Sequence, residues 1–175
     1  MLEIFDRNRR LVGILKNAYG MEEELKINAI GYFYFSLPFN DSKNNLCKPY
    51  YYIRYDEGEL YRILPSKITI NEIGDISYTC EHVLALLIDK VMFGDHVVGN
   101  RGFYTSRVIQ YVLDQQLTKH WVLGECDFNR QFEYGWSQEN LLSALFSIPK
   151  PFTGNYIWTY NTKFLSFCTK FKNIE

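Results

Sequence analysis

The stretch Phe132-Glu133-Tyr134-Gly135-Trp136-Ser137-Gln138-Glu139-Asn140-Leu141-Leu142-Ser143-Ala144-Leu145 restricts the possible folds of this chain more than any other segment. Phe132, Tyr134 and Trp136 alternate with Glu133 and Gly135, the period of two of a strand with one buried face. Ser137 stands where an N-cap belongs, its hydroxyl able to accept from the first free backbone N–H groups. Glu139 in the first turn suits the positive end of a helix. Leu141, Leu142, Leu145 and Phe146 form an apolar stripe at helical spacing, and Pro149 and Pro151 end it. An aromatic strand therefore runs into a capped helix through a very short joint, and the rest of the chain must cover both.

Composition says what that cover is made of. Aromatic residues are 17% of the 175, with 14 Tyr and 13 Phe. Such rings favour strands and large contact surfaces over helix interiors. The 19 basic and 20 acidic side chains give a net charge of −1. No basic excess is present to neutralise phosphates or hold an anionic membrane surface, which argues against nucleic-acid and membrane-surface partners. Cys47, Cys80, Cys126 and Cys168 form no CxxC pair, and Met-Leu-Glu-Ile-Phe-Asp at the start is unlike a signal peptide. The apolar run Val83–Ile88 is too short to span a bilayer. Free thiols in a reducing cytoplasm are the expectation.

Leu2–Asp6 and Arg10–Leu15 read as a hairpin around Arg7-Asn8-Arg9. Asn17–Gly20 reads as a turn and Glu23–Asn28 as a strand with Leu25 and Ile27 on one side. Tyr32–Leu37, closed by Pro38, reads as a core strand. Tyr50–Tyr55 and Leu60–Leu64 flank Asp56-Glu57-Gly58-Glu59, a hairpin signal in which the glycine supplies a positive φ. Lys67–Asn71 places Ile68 and Ile70 inward, and Ile76–Thr79 is one further strand. Six or seven strands in eighty residues without a helix predict a small barrel or sandwich. Cys80–Asp89 then reads as a helix, Phe93–Phe103 as a glycine-containing loop, and Thr105 as the cap of a helix carrying Val108, Ile109, Val112, Leu113 and Leu117. Trp121–Gly124, Asn155–Tyr160 and Phe164–Phe167 read as strands. The expected division is a β-barrel over residues 1–79 and an α+β domain over 80–175.

Reaction motifs are scarce. Cys80, His82, His120 and Cys126 can be assembled into a mixed zinc site, but zinc sites usually show tight ligand pairs; a junction histidine beside a buried thiol is the plainer reading. No nucleophile elbow or phosphate loop is present, and nothing local marks a Cys–His nucleophile. Asp95-His96, in the expected loop, has the makings of an acid–base pair or of a solvated cap. Paired carboxylates for glycoside chemistry leave no local signature, and the Tyr and Trp surplus suits sugar stacking as well as protein contact. No catalytic, cofactor-binding or metal residue is assigned, and no cofactor is expected.

Residues 80–160 carry a further pattern: Cys80-Glu81-His82-Val83-Leu84, Val108-Ile109-Gln110-Tyr111-Val112-Leu113, Trp121-Val122-Leu123-Gly124, Phe132-Glu133-Tyr134, Trp136, Asn140–Leu145 and Tyr156-Ile157-Trp158. It resembles the N-terminal region of minor structural proteins of siphophages and prophages: tail-tip hub, tail-associated lysin and prophage endopeptidase tail proteins. The Leu2–Asp6 strand and Phe35–Pro38 look similar too. The resemblance implies a fold like the baseplate hub of contractile-tailed phages, with a tail-tube-like barrel followed by a mixed domain. It implies a virion structural protein at the tail tip, made in the host cytoplasm and trimeric in its full-length context. Its partners would be the distal tail protein and the tail tube or tape measure. Family members extend further, and their lysin or peptidase activity is not carried over. The alternative is a carbohydrate-active enzyme or carbohydrate-binding module of the tail tip.

Overall fold

The computed structural model describes residues 1–126, 129–152, 155–162 and 167–174. The chain divides into two compact units, Met1–Val83 and Leu84–Glu175.

The first unit is one antiparallel sheet of seven strands: β1 (Leu2–Phe5), β2 (Leu11–Ile14), β3 (Tyr19–Glu24), β4 (Tyr32–Leu37), β5 (Tyr52–Tyr55), β6 (Leu60–Ile70) and β7 (Ile76–His82), in the order β2-β1-β5-β6-β7-β4-β3. The two edge strands are consecutive in sequence, separated only by residues 15–18. A flat sheet of seven strands would hold its edges about 29 Å apart. The chain from Ile14 to Tyr19 reaches about 18 Å at most. The sheet must therefore roll, with its edges brought round toward each other. It does not close: β2 and β3 do not pair, so the expected barrel is corrected to an open, rolled sheet. A bulge between Ile63 and Ile68 lets the long β6 bend while staying on β7.

Alternation places Phe33, Phe35 and Leu37 of β4 inside with Ile4, Ile53, Tyr61, Ile63, Tyr78 and Cys80. Phe35 stacks on its cross-strand partner Tyr78 with ring centroids 4.8 Å apart, and Phe33 lies 5.5 Å from Tyr61. The opposite face carries charge pairs in register: Arg54 Nε donates to Glu3 (3.0 Å) and Arg62 Nε to Glu81 (2.9 Å). Apolar neighbours inside and opposite charges outside both favour one register.

Four readings in this unit change. β3 lies earlier than expected, and Leu25 and Ile27 fall in the following turn, exposed, because β4 pairs with Tyr19–Glu24 instead. Ile70 is exposed beside a half-buried Ile68. Cys80–Asp89 is no helix: Cys80–His82 continue β7, pairing with Tyr61–Ile63, and a single 3₁₀ segment Val83–Leu87 follows. In the β5–β6 turn, Asp56 and Glu57 take the positive φ, at 44° and 58°, rather than Gly58.

The second unit holds β8 (Asp95–Tyr104), α1 (Thr105–Asp114), β9 (Trp121–Cys126), β10 (Gln131–Ser137), α2 (Leu141–Ser147), β11 (Asn155–Asn161) and β12 (Phe167–Ile174). β8 pairs antiparallel with β10; β12 runs antiparallel to β11 and parallel to β9. The expected loop Phe93–Phe103 is thus mostly strand, with Gly99 and Gly102 serving a bulge. Of Phe164–Phe167, only Phe167 lies within the described residues, opening β12. Both helices bury an apolar stripe: Val108, Ile109, Val112 and Leu113 on α1, and Leu141, Leu142, Ala144 and Leu145 on α2. Leu117 falls beyond α1 and is exposed.

Tyr104, not Thr105, occupies the α1 cap position. Thr105 opens the helix, its Oγ1 donating to the Arg130 carbonyl (2.8 Å) and accepting from the Arg130 N–H (3.1 Å). Ser137 does not cap α2 either. It ends β10 opposite Asp95, and Asn140 caps the helix by accepting from the Ser143 N–H at 2.9 Å. Glu139 then precedes the cap instead of sitting in the first turn. On the aromatic strand Tyr134 and Trp136 are buried as expected, whereas Phe132 is 44% exposed. No helix among the described residues is long and apolar enough to cross a membrane.

Candidate interaction surface

In the second unit, residues 90–92 lie against 139–141. The Met92 N–H donates to the Glu139 carbonyl and the Leu141 N–H to the Lys90 carbonyl, both at 2.9 Å, with a bridge between Val91 and Asn140. This pairing turns Met92 inward and leaves Val91 half-exposed and Phe93 86% exposed. With Asp89, Lys90, His96, Gln115 and Leu117 they line a groove of ≈ 380 Å³. His96 braces one side: Nδ1 lies 2.7 Å from the Tyr111 hydroxyl and Nε2 3.1 Å from the Phe93 carbonyl. With the proton on Nε2, the imidazole donates to Phe93 and accepts from Tyr111. Asp95 and His96 both lie on β8, and the ring holds the backbone of Phe93 and the α1 side chain Tyr111 together.

In the first unit, Phe39, Ile70 and Ile73 are exposed around one braced turn. Asn71 Oδ1 accepts from the N–H groups of Ile73 (3.1 Å) and Asp75 (2.9 Å). Asp75 in turn accepts from the Phe39 N–H (3.1 Å) and the Tyr19 hydroxyl (2.8 Å). The apolar side chains are thus carried on a fixed backbone, which lowers the ordering cost of contact with a partner. Leu25 and Ile27, in the connection after β3, are also exposed. The outer edges of β2 and β3 pair with no further strand among the described residues, although the Ile14 carbonyl of β2 accepts from Lys43 Nζ. Sequence patterning missed these apolar positions because it reads period, and a period does not say which face has a neighbour.

The residues considered for zinc divide between the units. Cys80 and His82 do share the buried face of β7, two residues apart. Burial pushes the Cys80 thiol well above its ordinary range, which disfavours the thiolate a metal needs. His82 sits edge-on to Tyr61 at 5.5 Å, with Nε2 3.7 Å from a Glu59 carboxylate oxygen. His120 and Cys126 are in the second unit. Among the described residues no three His, Cys, Asp or Glu side chains gather so as to hold a metal ion. Several carboxylates have structural partners: Glu3 with Arg54, Glu81 with Arg62, Asp75 with Tyr19, and Glu24 with Tyr34 and Lys26. Glu23 accepts from the Tyr61 hydroxyl. These contacts suit a rigid scaffold with sticky projections.

Comparison with known proteins agrees with the resemblance seen in the sequence. Residues 90–164 match the family model described as the prophage endopeptidase tail domain. The fold is similar to that of prophage tail protein gp18 from Listeria monocytogenes EGD-e, with a TM-score of 0.68 and 9% identity over 97% of this chain and 50% of that one. It is also similar to the E. coli c3393 protein, a component of the type VI secretion system described as structurally similar to T4 bacteriophage tail proteins gp27 and gp5. That TM-score is 0.52 with 9% identity, over 87% of this chain and 46% of that one. The chain spans about half the length of these two structures. No curated protein sequence matches it. An α+β, mainly β fold of the phage tail and baseplate kind is therefore shown, with an open sheet in place of a closed barrel.

Proposed function

We propose that this chain is a structural component of a phage or prophage tail, acting at the tail tip as part of the baseplate hub. The observation that carries this reading is the match of residues 90–164 to the prophage endopeptidase tail domain, with the fold likeness extending over nearly the whole chain. Exposed apolar side chains, three of them around one braced turn, and two strand edges without a strand partner among the described residues are what an assembling module requires. In this role the rolled sheet is the tube-like domain and the second unit is the mixed domain that follows it. The partners are the distal tail protein and the tail tube or tape measure, with three copies of the full-length protein forming the hub. The described residues serve contact and not catalysis; the endopeptidase in the family description is not assigned to them.

Immunogold labelling of particles, combined with deletion of the gene, tests this. Label confined to the tail tip, and particles without a functional tip on deletion, are expected. Label elsewhere, or infectious particles assembled without the protein, would overturn the reading. Incubation of the purified chain with cell wall and peptide substrates should give no turnover. Turnover abolished by replacing one acidic residue would replace the structural role with an enzymatic one.

A further inference from the structure

Residues 16–30 of the first unit run between two anchored points, and none of them is buried. On one side Leu15 is buried, and its N–H donates to the Leu2 carbonyl at 2.8 Å. On the other, Gly31 is buried, and its carbonyl accepts from the His82 N–H at 2.9 Å. β3 lies between these points. Among the described strands it pairs with β4 alone, and that ladder shifts register between Tyr19 and Glu22, where Gly20 takes a φ of 58°. Its residue opposite the buried Phe33 is a carboxylate, Glu23, and Glu22 and Glu24 beside it add like charge. The half-buried Ala18 packs against the core, but with a single methyl. Polar ties hold the segment instead. The hydroxyls of Tyr19, Tyr34 and Tyr61 donate to Asp75 (2.8 Å), Glu24 (3.1 Å) and Glu23, and Asn17 Nδ2 donates to Asp41 (2.8 Å).

We propose that residues 16–30 form a strap that opens as one unit while the other six strands of the sheet stay folded. Each tie is a hydrogen bond that water replaces on opening, so its net contribution is small. A segment with few buried apolar contacts opens far more readily than the core beside it. Phe33, Phe35 and Leu37 of β4 pack within the interior cluster supplied by the other strands, so release of the strap leaves that cluster in place. What opening uncovers is the edge of β4, a row of backbone groups with which another strand can pair. The strap does not depend on the tail assignment, since it follows from how β3 is held.

Native-state hydrogen exchange of the ¹⁵N-labelled full chain at low urea tests this. The amides of residues 19–24, with the β4 amides that bond to them, should exchange at least about a hundredfold faster than the β4 amides that bond to β7. They should also share one opening equilibrium and one urea dependence. Ile63→Val loosens the core at a fully buried position of β6. It should speed exchange of the β7-facing amides and leave the strap's rates unchanged, because opening the strap leaves Ile63 packed. Tyr19→Phe removes one tie and should speed the strap's exchange about fivefold. Strap amides as slow as the β7-facing ones, rates without a common opening, strap rates that rise with Ile63→Val, or none that rise with Tyr19→Phe would overturn the proposal.

Discussion

Trp136 stacks on Tyr134 with ring centroids 5.5 Å apart and planes 6° from parallel. Its Nε1–H donates to Ser147 Oγ at 2.9 Å, and that hydroxyl donates on to the Ala144 carbonyl at 2.7 Å. One side chain thus joins β10 to the end of α2 by both packing and a hydrogen bond. Trp136→Ala should cost about 3–5 kcal/mol of stability, whereas Trp136→Phe, which keeps the stack, should cost far less; urea unfolding separates the two. An unmoved midpoint for the alanine variant would show the ring to be a surface contact. Glu57 is the opposite case, a residue at odds with its backbone. With Asp56 it forms the centre of a turn closed by the Gly58 N–H on the Tyr55 carbonyl at 2.8 Å. Positive φ at both central positions is type I′ geometry, which favours glycine at the second. Glu57→Gly should therefore stabilise the chain by about 1 kcal/mol, read as a raised melting temperature. Gly58 is needed for a different reason: a Cβ there would lie 2.8 Å from the Tyr55 carbonyl oxygen.

At the scale of elements, the strand-to-helix joint was legible in kind and displaced in detail. Ser137 and Asn140 are both good capping residues, three apart, and local chemistry does not choose between them. The choice is made by Asp95, whose pairing with Ser137 keeps that residue in β10. Asn140→Ala should cost about 1 kcal/mol of stability, while Ser137→Ala should lie within about 0.5 kcal/mol of the parent. A larger loss at Ser137 would place the functional cap there. β8 was misread for a related reason. Gly94, Gly99 and Gly102 look like loop punctuation, yet the strand exists because β10 offers it a partner, and two of the three glycines serve its bulge. The Val108–Leu113 stripe was legible outright, since ten residues of helical period can bury only one face.

Across the whole molecule, the aromatic-rich interior has a pH consequence. Burial pushes the Cys47 thiol and the Tyr134 phenol up to about 12, and it raises Tyr61, Tyr78 and Tyr160 further. In the unfolded chain thiols ionise near about 8.5 and phenols near about 10. Between those values and the raised native ones, the unfolded state binds fewer protons than the folded state. Stability should then be fully present below about pH 8.5 and fall as pH rises toward 12. Urea midpoints measured from pH 8 to 11 check this; a flat or rising series would contradict it.

The sequence by itself determined much of the core's content and most strands of the first unit, β3 and the end of β7 excepted, together with the α1 stripe and rings at alternate positions. These follow from periods of two and 3.6, which neighbouring residues establish among themselves. Tertiary structure decided where the sheet stops short of closing, which residue caps α2, and why Leu25, Ile70, Leu117 and Phe132 face outward. Each of those depends on whether a segment distant in sequence arrives to cover a face or extend a strand, and no local pattern contains that information.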